Sequence, residues 1–187
     1  MSAERTLRRD SWAIGQAEVA LDWEAIYAEA LPRLYNFFRY RVGNDALAED
    51  LTSTTFEKAW RKRESYRRDL AGFYTWMFAI ARNVATDYFR RHKEVISLDE
   101  IVANPNPAFL ISDPGEGPEE AVQKAADFNH LSNLLRQLPV RDQEIVAMKY
   151  GAGLSNREIA RLMNTSESNV GTLASRLVAR LRSAWEE

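Results

Sequence analysis

Apolar residues along this chain recur at steps of three and four, the period of a helix that buries one side. In the first such segment Trp23, Ile26, Tyr27, Ala30, Leu31, Leu34, Phe37, Phe38 and Val42 form one stripe. Pro32 lies inside it, where a missing N–H and a ring clash predict a kink or break. A Gly43-Asn44-Asp45 turn signal follows, with Asp45 as the expected N-cap. The second stripe then passes through Ala46, Leu47, Leu51, Phe56, Ala59 and Trp60. A third runs from about Gly72 to His92 through Phe73, Trp76, Met77, Ile80, Ala81, Val84, Tyr88 and Phe89. No segment alternates convincingly with the period of two that a half-buried strand requires. The predicted class is all-α, with a core for each helical module.

The C-terminal third carries a sharper local pattern. After Leu138-Pro139 a short helix is expected around Arg141 to Tyr150, then a Gly151-Ala152-Gly153 break. Ser155 can cap a helix starting at Asn156, and Glu158 three residues on completes a capping box. That helix presents Ile159, Ala160, Leu162 and Met163 and stops at Asn164, a residue that tolerates the left-handed conformation. Ser166 caps the next helix, which carries Val170, Leu173, Leu177 and Leu181. A small Ala160 near the crossing, a turn residue four positions later and Val170 six beyond that match a helix-turn-helix. In that motif the second helix enters the major groove. Its polar side here holds Ser168, Asn169, Thr172, Ser175 and Arg176, with Arg180 and Arg182 placed for phosphates. The same spacing suits an αα-hairpin with a solvated face, and by itself the motif leaves both open.

Charge divides the chain where hydropathy does not. Of 187 residues, 25 are Lys or Arg and 27 Asp or Glu, a net charge of -2. Residues 94–127 nevertheless hold 8 acidic residues against one basic, Lys124. They also hold four of the six prolines, Pro105, Pro107, Pro114 and Pro118. Helix cannot run through NPNPAF or DPGEGP. The expected organisation is an N-terminal extension (1–22), a helical module (23–93), an acidic flexible linker (94–127) and a second module (128–187). A plain solvated loop is the other reading of the acidic block.

Absences narrow the chemistry. Cys is absent and only His92 and His130 are present, which excludes disulfides and thiolate metal sites and leaves little for a zinc site or a Ser-His-Asp triad. No metal, cofactor or catalytic residue is expected, and the chain is not read as an enzyme. The start, MSAERTLRRDSW, shows neither a signal peptide nor a membrane span, so the expectation is a cytoplasmic protein without membrane insertion.

The third helix is rich in rings and cations together. Phe73, Tyr74, Trp76, Phe78, Tyr88 and Phe89 cannot all face one side at 3.6 residues per turn, and Arg67, Arg68, Arg82, Arg90, Arg91 and Lys93 surround them. Rings stack on unpaired bases while Arg and Lys neutralise phosphates, the combination that single strands require. The alternative is a large aromatic core with a basic rim.

Three runs in register resemble one family: AEDLTSTTFEKAW (48–60), SYRRDLAGFYTWMFAIARNVATDYFRR (65–91) and LRQLPVRDQEIVAMKYGAGLSNREIARLMNTSESNVGTLASRL (135–177). They are similar to bacterial extracytoplasmic-function (ECF) sigma factors of the sigma-70 family, minimal RNA polymerase sigma subunits with a sigma-2 and a sigma-4 domain. The resemblance implies that Asp50, Leu51, Phe56, Ala59 and Trp60 meet the clamp coiled coil of the polymerase's largest subunit. It places Tyr66, Tyr74, Trp76, Ile80 and Asn83 at the minus-ten element, where a non-template base is flipped into a pocket. Asp87, Arg90 and Arg91 match the downstream contacts. It assigns Lys149, Ser168, Asn169, Gly171, Thr172, Ser175, Arg176 and Arg180 to the duplex minus-thirty-five element.

The family's linkers thread the polymerase active-site cleft, and most relatives are held by an anti-sigma partner. This chain departs from the pattern at Ser53 and Thr54, where Gln and Glu are usual. It also has about one extra residue between Tyr66 and Phe73. Ala174 and Ala179 stand where Arg is common, so two phosphate anchors are expected to be missing. The rival function is a dimeric helix-turn-helix regulator acting on duplex DNA without polymerase.

Overall fold

The computed structural model describes residues 22–67, 72–92 and 117–186. Among these, seven α-helices and two short helical turns account for the regular structure. Helix α1 (Trp23–Val42) starts where Asp22 accepts the Ala25 N–H at 3.1 Å and ends at Gly43, whose φ of 64° is left-handed. It runs unbroken past Pro32. The lost hydrogen bond and ring clash cost about 3 kcal/mol in a helix interior. Burial of Ala30, Leu34, Tyr35, Phe37 and Phe38 on the same helix opposes that cost.

Helix α2 (Asp45–Arg61) is capped by Asn44, which accepts the Leu47 N–H at 2.9 Å. The expected cap, Asp45, is instead the first helical residue and pairs with Arg39 at 2.8 Å. A carboxylate in a first turn also answers the helix dipole. A 3-10 turn (Arg63–Ser65) leads toward α3 (Phe73–Arg91).

Helix α4 (Pro118–Arg136) overturns part of the linker expectation, because residues 118–127 are helical. Pro118 occupies the first helical turn, where its missing N–H goes unused, and Glu119 and Glu120 answer the dipole. Ala121, Ala125, Phe128, Leu131, Ser132 and Leu135 make the less exposed stripe. Residues 94–116 of the expected linker, and 1–21 of the expected extension, lie outside the described residues.

Helix α5 (Val140–Val146) passes into a π-helical turn (Ala147–Gly151), followed by α6 (Asn156–Met163) and α7 (Glu167–Glu186).

The core of α1–α3 centres on Leu34, Phe37, Phe38, Met77 and Phe78, all fully buried. Phe37 meets Phe38 and Phe78 edge to face at 5.1 and 5.7 Å, a favoured ring geometry. A smaller cluster joins Leu135, Leu138, Ile145, Val146, Ala174 and Leu177. The expectation of one core per module fails on the larger cluster, which continues into Met148, Leu154, Ile159 and Val170 of the C-terminal half. The two halves are packed on each other.

Candidate nucleic-acid interface

Helix α3 supplies the first face. Positions 76, 80, 83, 87 and 90 fall on one side of an α-helix, a stripe of about 21 Å at ~1.5 Å per residue. At its N-terminal end Trp76 lies 5.2 Å from the Tyr66 ring, and both rings lean on Phe73 at 5.5 Å. Trp23 backs Phe73 at 6.0 Å and in turn meets Trp60 at 5.2 Å. Tyr66 and Trp76 are half-buried, so packing holds both rings in place while each stays partly exposed. At the other end Asn83, Arg90 and Arg91 are exposed. Asp87 lies between them, 3.0 Å from Arg90 and 3.8 Å from Lys58. The stripe therefore grades from rings to cations along one helix.

Two expected members fall away from this face. Ile80, at the edge of that stripe, is 7% exposed and belongs to the core of α1–α3. Tyr74 lies about 200° around the helix from Trp76, two residues at ~100° each. Its hydroxyl bonds Glu29 and its ring lies 4.2 Å from the Arg33 guanidinium, so it is committed to α1. Burial, then the Glu29 carboxylate, pushes the Tyr74 phenol up to about 12. Arg82, expected in the basic rim, is instead ion-paired to Glu144 at 2.7 Å.

The second face is the outer side of α7. Its placement rests on a helix-turn-helix built as the sequence predicts. Ser155 and Glu158 form a capping box, and Asn164 takes φ 50° at the turn. Ser166 Oγ accepts the Asn169 N–H at 3.1 Å. Val170 and Leu177 face inward, while Ser168, Asn169, Thr172, Ser175, Arg176 and Arg180 are exposed together. Asn169 donates to Thr165 Oγ1 at 2.9 Å, and the Thr172 hydroxyl donates to the Ser168 carbonyl at 3.0 Å. The Thr172 oxygen thus remains an acceptor toward solvent.

Gly171 has a packing reason instead. A Cβ there would stand 3.2 Å from Asn156 Nδ2, so a bare backbone lets α6 approach. Lys149 lies in the π-helical turn, half-buried. The two alanines also separate: Ala179 is exposed on the face, but Ala174 is 4% exposed and part of the core. Ala174 is therefore a packing residue, and only Ala179 marks a missing surface cation.

The third set, on α2, does not share one side. Asp50 is exposed and Trp60 is 50% exposed, while Leu51 and Ala59 are buried. Phe56 is half-buried with its ring 4.6 Å from Tyr27. The accessible ridge beside Asp50 is Ala46, Ser53 and Glu57, at steps of four, three and four. Ala46 and Glu57 are not among the expected residues, although helical spacing from Asp50 puts them on the same side.

Among the described residues there is no group of three metal-ligating side chains, and no helix is long and apolar enough to cross a membrane.

The family model for Sigma-70 region 2 matches residues 26–95, and that for Sigma-70, region 4 matches residues 129–181. The chain is 32% identical over 169 residues to the ECF RNA polymerase sigma factor BldN of Streptomyces coelicolor, covering 89% of this chain and 61% of that protein. It is 31% identical to the RNA polymerase sigma factor CarQ of Myxococcus xanthus, over 86% of this chain and 87% of that protein. Its fold is similar to the sigma factor RpoE of Bartonella quintana, solved in complex with the anti-sigma factor NepR. That match has a TM-score of 0.65 at 21% identity, over 88% of this chain and 97% of that one.

Proposed function

The chain belongs to the sigma-70 family of RNA polymerase sigma factors, and from that premise we propose how its own faces divide the work of starting transcription. The α2 ridge of Asp50, Ser53 and Glu57, with Trp60 at its end, docks on the clamp coiled coil of core polymerase. Leu51 and Ala59 support that ridge from beneath. The outer side of α7 reads the minus-thirty-five duplex through Ser168, Asn169, Thr172, Ser175 and Arg176, with Arg180 on the backbone. Tyr66 and Trp76 receive a flipped base of the non-template strand, and Asn83, which both donates and accepts hydrogen bonds, reads its edge. Arg90 and Arg91 hold the phosphates that follow.

The reaction needs no covalent step from this chain. Base stacking is worth roughly 1–3 kcal/mol per base, enough for a few stacked bases to offset local unpairing. Two modest DNA contacts gain affinity when core polymerase fixes their separation. The partners in this reading are core polymerase, promoter DNA as duplex and as single strand, and by resemblance an anti-sigma factor.

The single observation that carries the proposal is the graded stripe along α3, with propped rings at one end and exposed cations at the other. A regulator that reads duplex DNA alone has no use for it. Runoff transcription with purified core polymerase on genomic fragments tests the reading. Discrete transcripts that depend on the chain are expected. Tight specific binding to duplex DNA without polymerase, together with no transcripts, would favour the regulator instead.

A further inference from the structure

The turn before α7 holds one exposed side chain more firmly than the fold requires. Asn164 turns the chain with φ 50°, and the Thr165 N–H donates to the Ala160 carbonyl at 3.0 Å. Thr165 is thereby tied to α6, and it is half-buried. Its Oγ1 accepts from Asn169 Nδ2 at 2.9 Å. Capping does not explain this bond, because Ser166 Oγ already accepts the Asn169 backbone N–H at 3.1 Å. The Thr165 bond restrains only the amide of an exposed residue, and a single hydrogen bond open to water adds modestly to stability. Its consequence lies in what that amide presents outward.

A side-chain amide has two N–H donors and one carbonyl acceptor. With one N–H spent on Thr165, Asn169 keeps its carbonyl and a single N–H, the pair that adenine N6 and N7 match. Thr172 carries a related bias. Its hydroxyl proton goes to the Ser168 carbonyl at 3.0 Å, which leaves the oxygen as an acceptor. Asn169, Thr172 and Arg176 fall within about 60° of one another around α7, about 4.5 and 6 Å apart along its axis. Base pairs are spaced by about 3.4 Å, so the row spans roughly three steps of duplex. In the major groove the donors are amino groups, N6 of adenine and N4 of cytosine, while guanine offers the two acceptors that fit an Arg.

We propose that Thr165 is a positioning residue that commits Asn169 to an adenine in the minus-thirty-five duplex, with Thr172 on a neighbouring amino-bearing base and Arg176 on a guanine; this rests on the sigma reading above. Without Thr165 the amide turns about its last torsion and offers N–H groups to guanine or thymine as readily. Thr165 thus sets base choice without touching DNA.

The test uses core polymerase with the full chain and a promoter first found by runoff transcription, its upstream element randomised. Bound DNA is sequenced. Wild-type chain should enrich adenine roughly tenfold at one position, identified as the one whose preference Asn169→Ala erases. Thr165→Val keeps the branched shape without the acceptor and should cut that preference to about twofold. The guanine whose preference depends on Arg176 should stay enriched. Thr165→Ser should restore the adenine, and Thr165→Val should add nothing to the loss in Asn169→Ala. Thermal unfolding checks that each variant keeps its fold. Any other base at the Asn169 position overturns the proposal, guanine or thymine by showing the amide reversed. So does an adenine preference that Thr165→Val leaves unmoved. A chain that yields no promoter and enriches no upstream element defeats the sigma reading itself, and this proposal with it.

Discussion

The α3 stripe and the outer side of α7 are both proposed to meet DNA, yet they are built in opposite ways. The α3 face begins in half-buried rings, Tyr66 and Trp76, each propped by Phe73, with Trp23 behind it. The α7 face is a row of exposed polar and basic side chains, from Ser168 to Arg180, backed by Val170 and Leu177. A duplex already presents its base edges in a groove, so a rigid protruding helix suffices. A base leaving its stack loses contacts on both sides and needs apolar surface waiting for it. The difference therefore follows from the state of the DNA each face meets.

Substitutions that should affect one face and spare the other test this contrast. The largest effect is expected at Ala174, where Arg would bury an unpaired charge and cost region 4 about 3–5 kcal/mol. Thermal unfolding should show it as a strong loss of stability. Ala179→Arg, five residues on and exposed, should leave stability unchanged and tighten binding to a minus-thirty-five duplex. The salt dependence of that binding should steepen by about one counterion.

Next in size come the rings. Tyr66→Ala or Trp76→Ala should each lower open-complex formation by about 1–3 kcal/mol, the worth of a stacked base, with affinity for the minus-thirty-five duplex unaltered. Stopped-flow fluorescence of a 2-aminopurine in the minus-ten strand reads this directly. Arg176→Ala should do the reverse, weakening duplex binding by roughly 1–3 kcal/mol if it reads a base, and leaving strand capture on a pre-melted template intact. Smaller still is Ser155→Ala, which removes the capping box of α6 and should cost about 1 kcal/mol of stability. Chemical denaturation detects it.

Alkaline titration sharpens the assignment of Tyr74 to packing. Its phenol is held protonated up to about 12 by burial and by Glu29. The associated stability is complete below the ordinary tyrosine value near 10 and is lost as pH rises through 12. Absorbance at alkaline pH should show one late-titrating tyrosine fewer in Tyr74→Phe, with strand capture at neutral pH unchanged.

Much of this architecture was legible from residue spacing. The capping box at Ser155, the left-handed Asn164 and the inward Val170 are local features, each decided by neighbours within a few positions. Helix α4 over residues 118–127 is obscured in the sequence, because charge and proline content there mask the stripe from Ala121 to Leu135. Periodicity also cannot tell a propped surface ring from a core residue at the edge of the same stripe, so the burial of Ile80, Leu51 and Ala59 is seen only in the structure. Arg82 shows the deeper limit. Its partner Glu144 is 62 residues away, and no local pattern announces a pair that only packing brings together.

The central claim is that the rings of Tyr66 and Trp76, at the start of α3, hold an unpaired promoter strand once polymerase is bound. Permanganate reactivity of thymines around the minus-ten element, with core polymerase and this chain present, measures it most directly. Wild-type chain should render those thymines reactive, and Tyr66→Ala with Trp76→Ala should abolish the signal while the polymerase complex persists. Equal reactivity with and without the two rings would contradict the account.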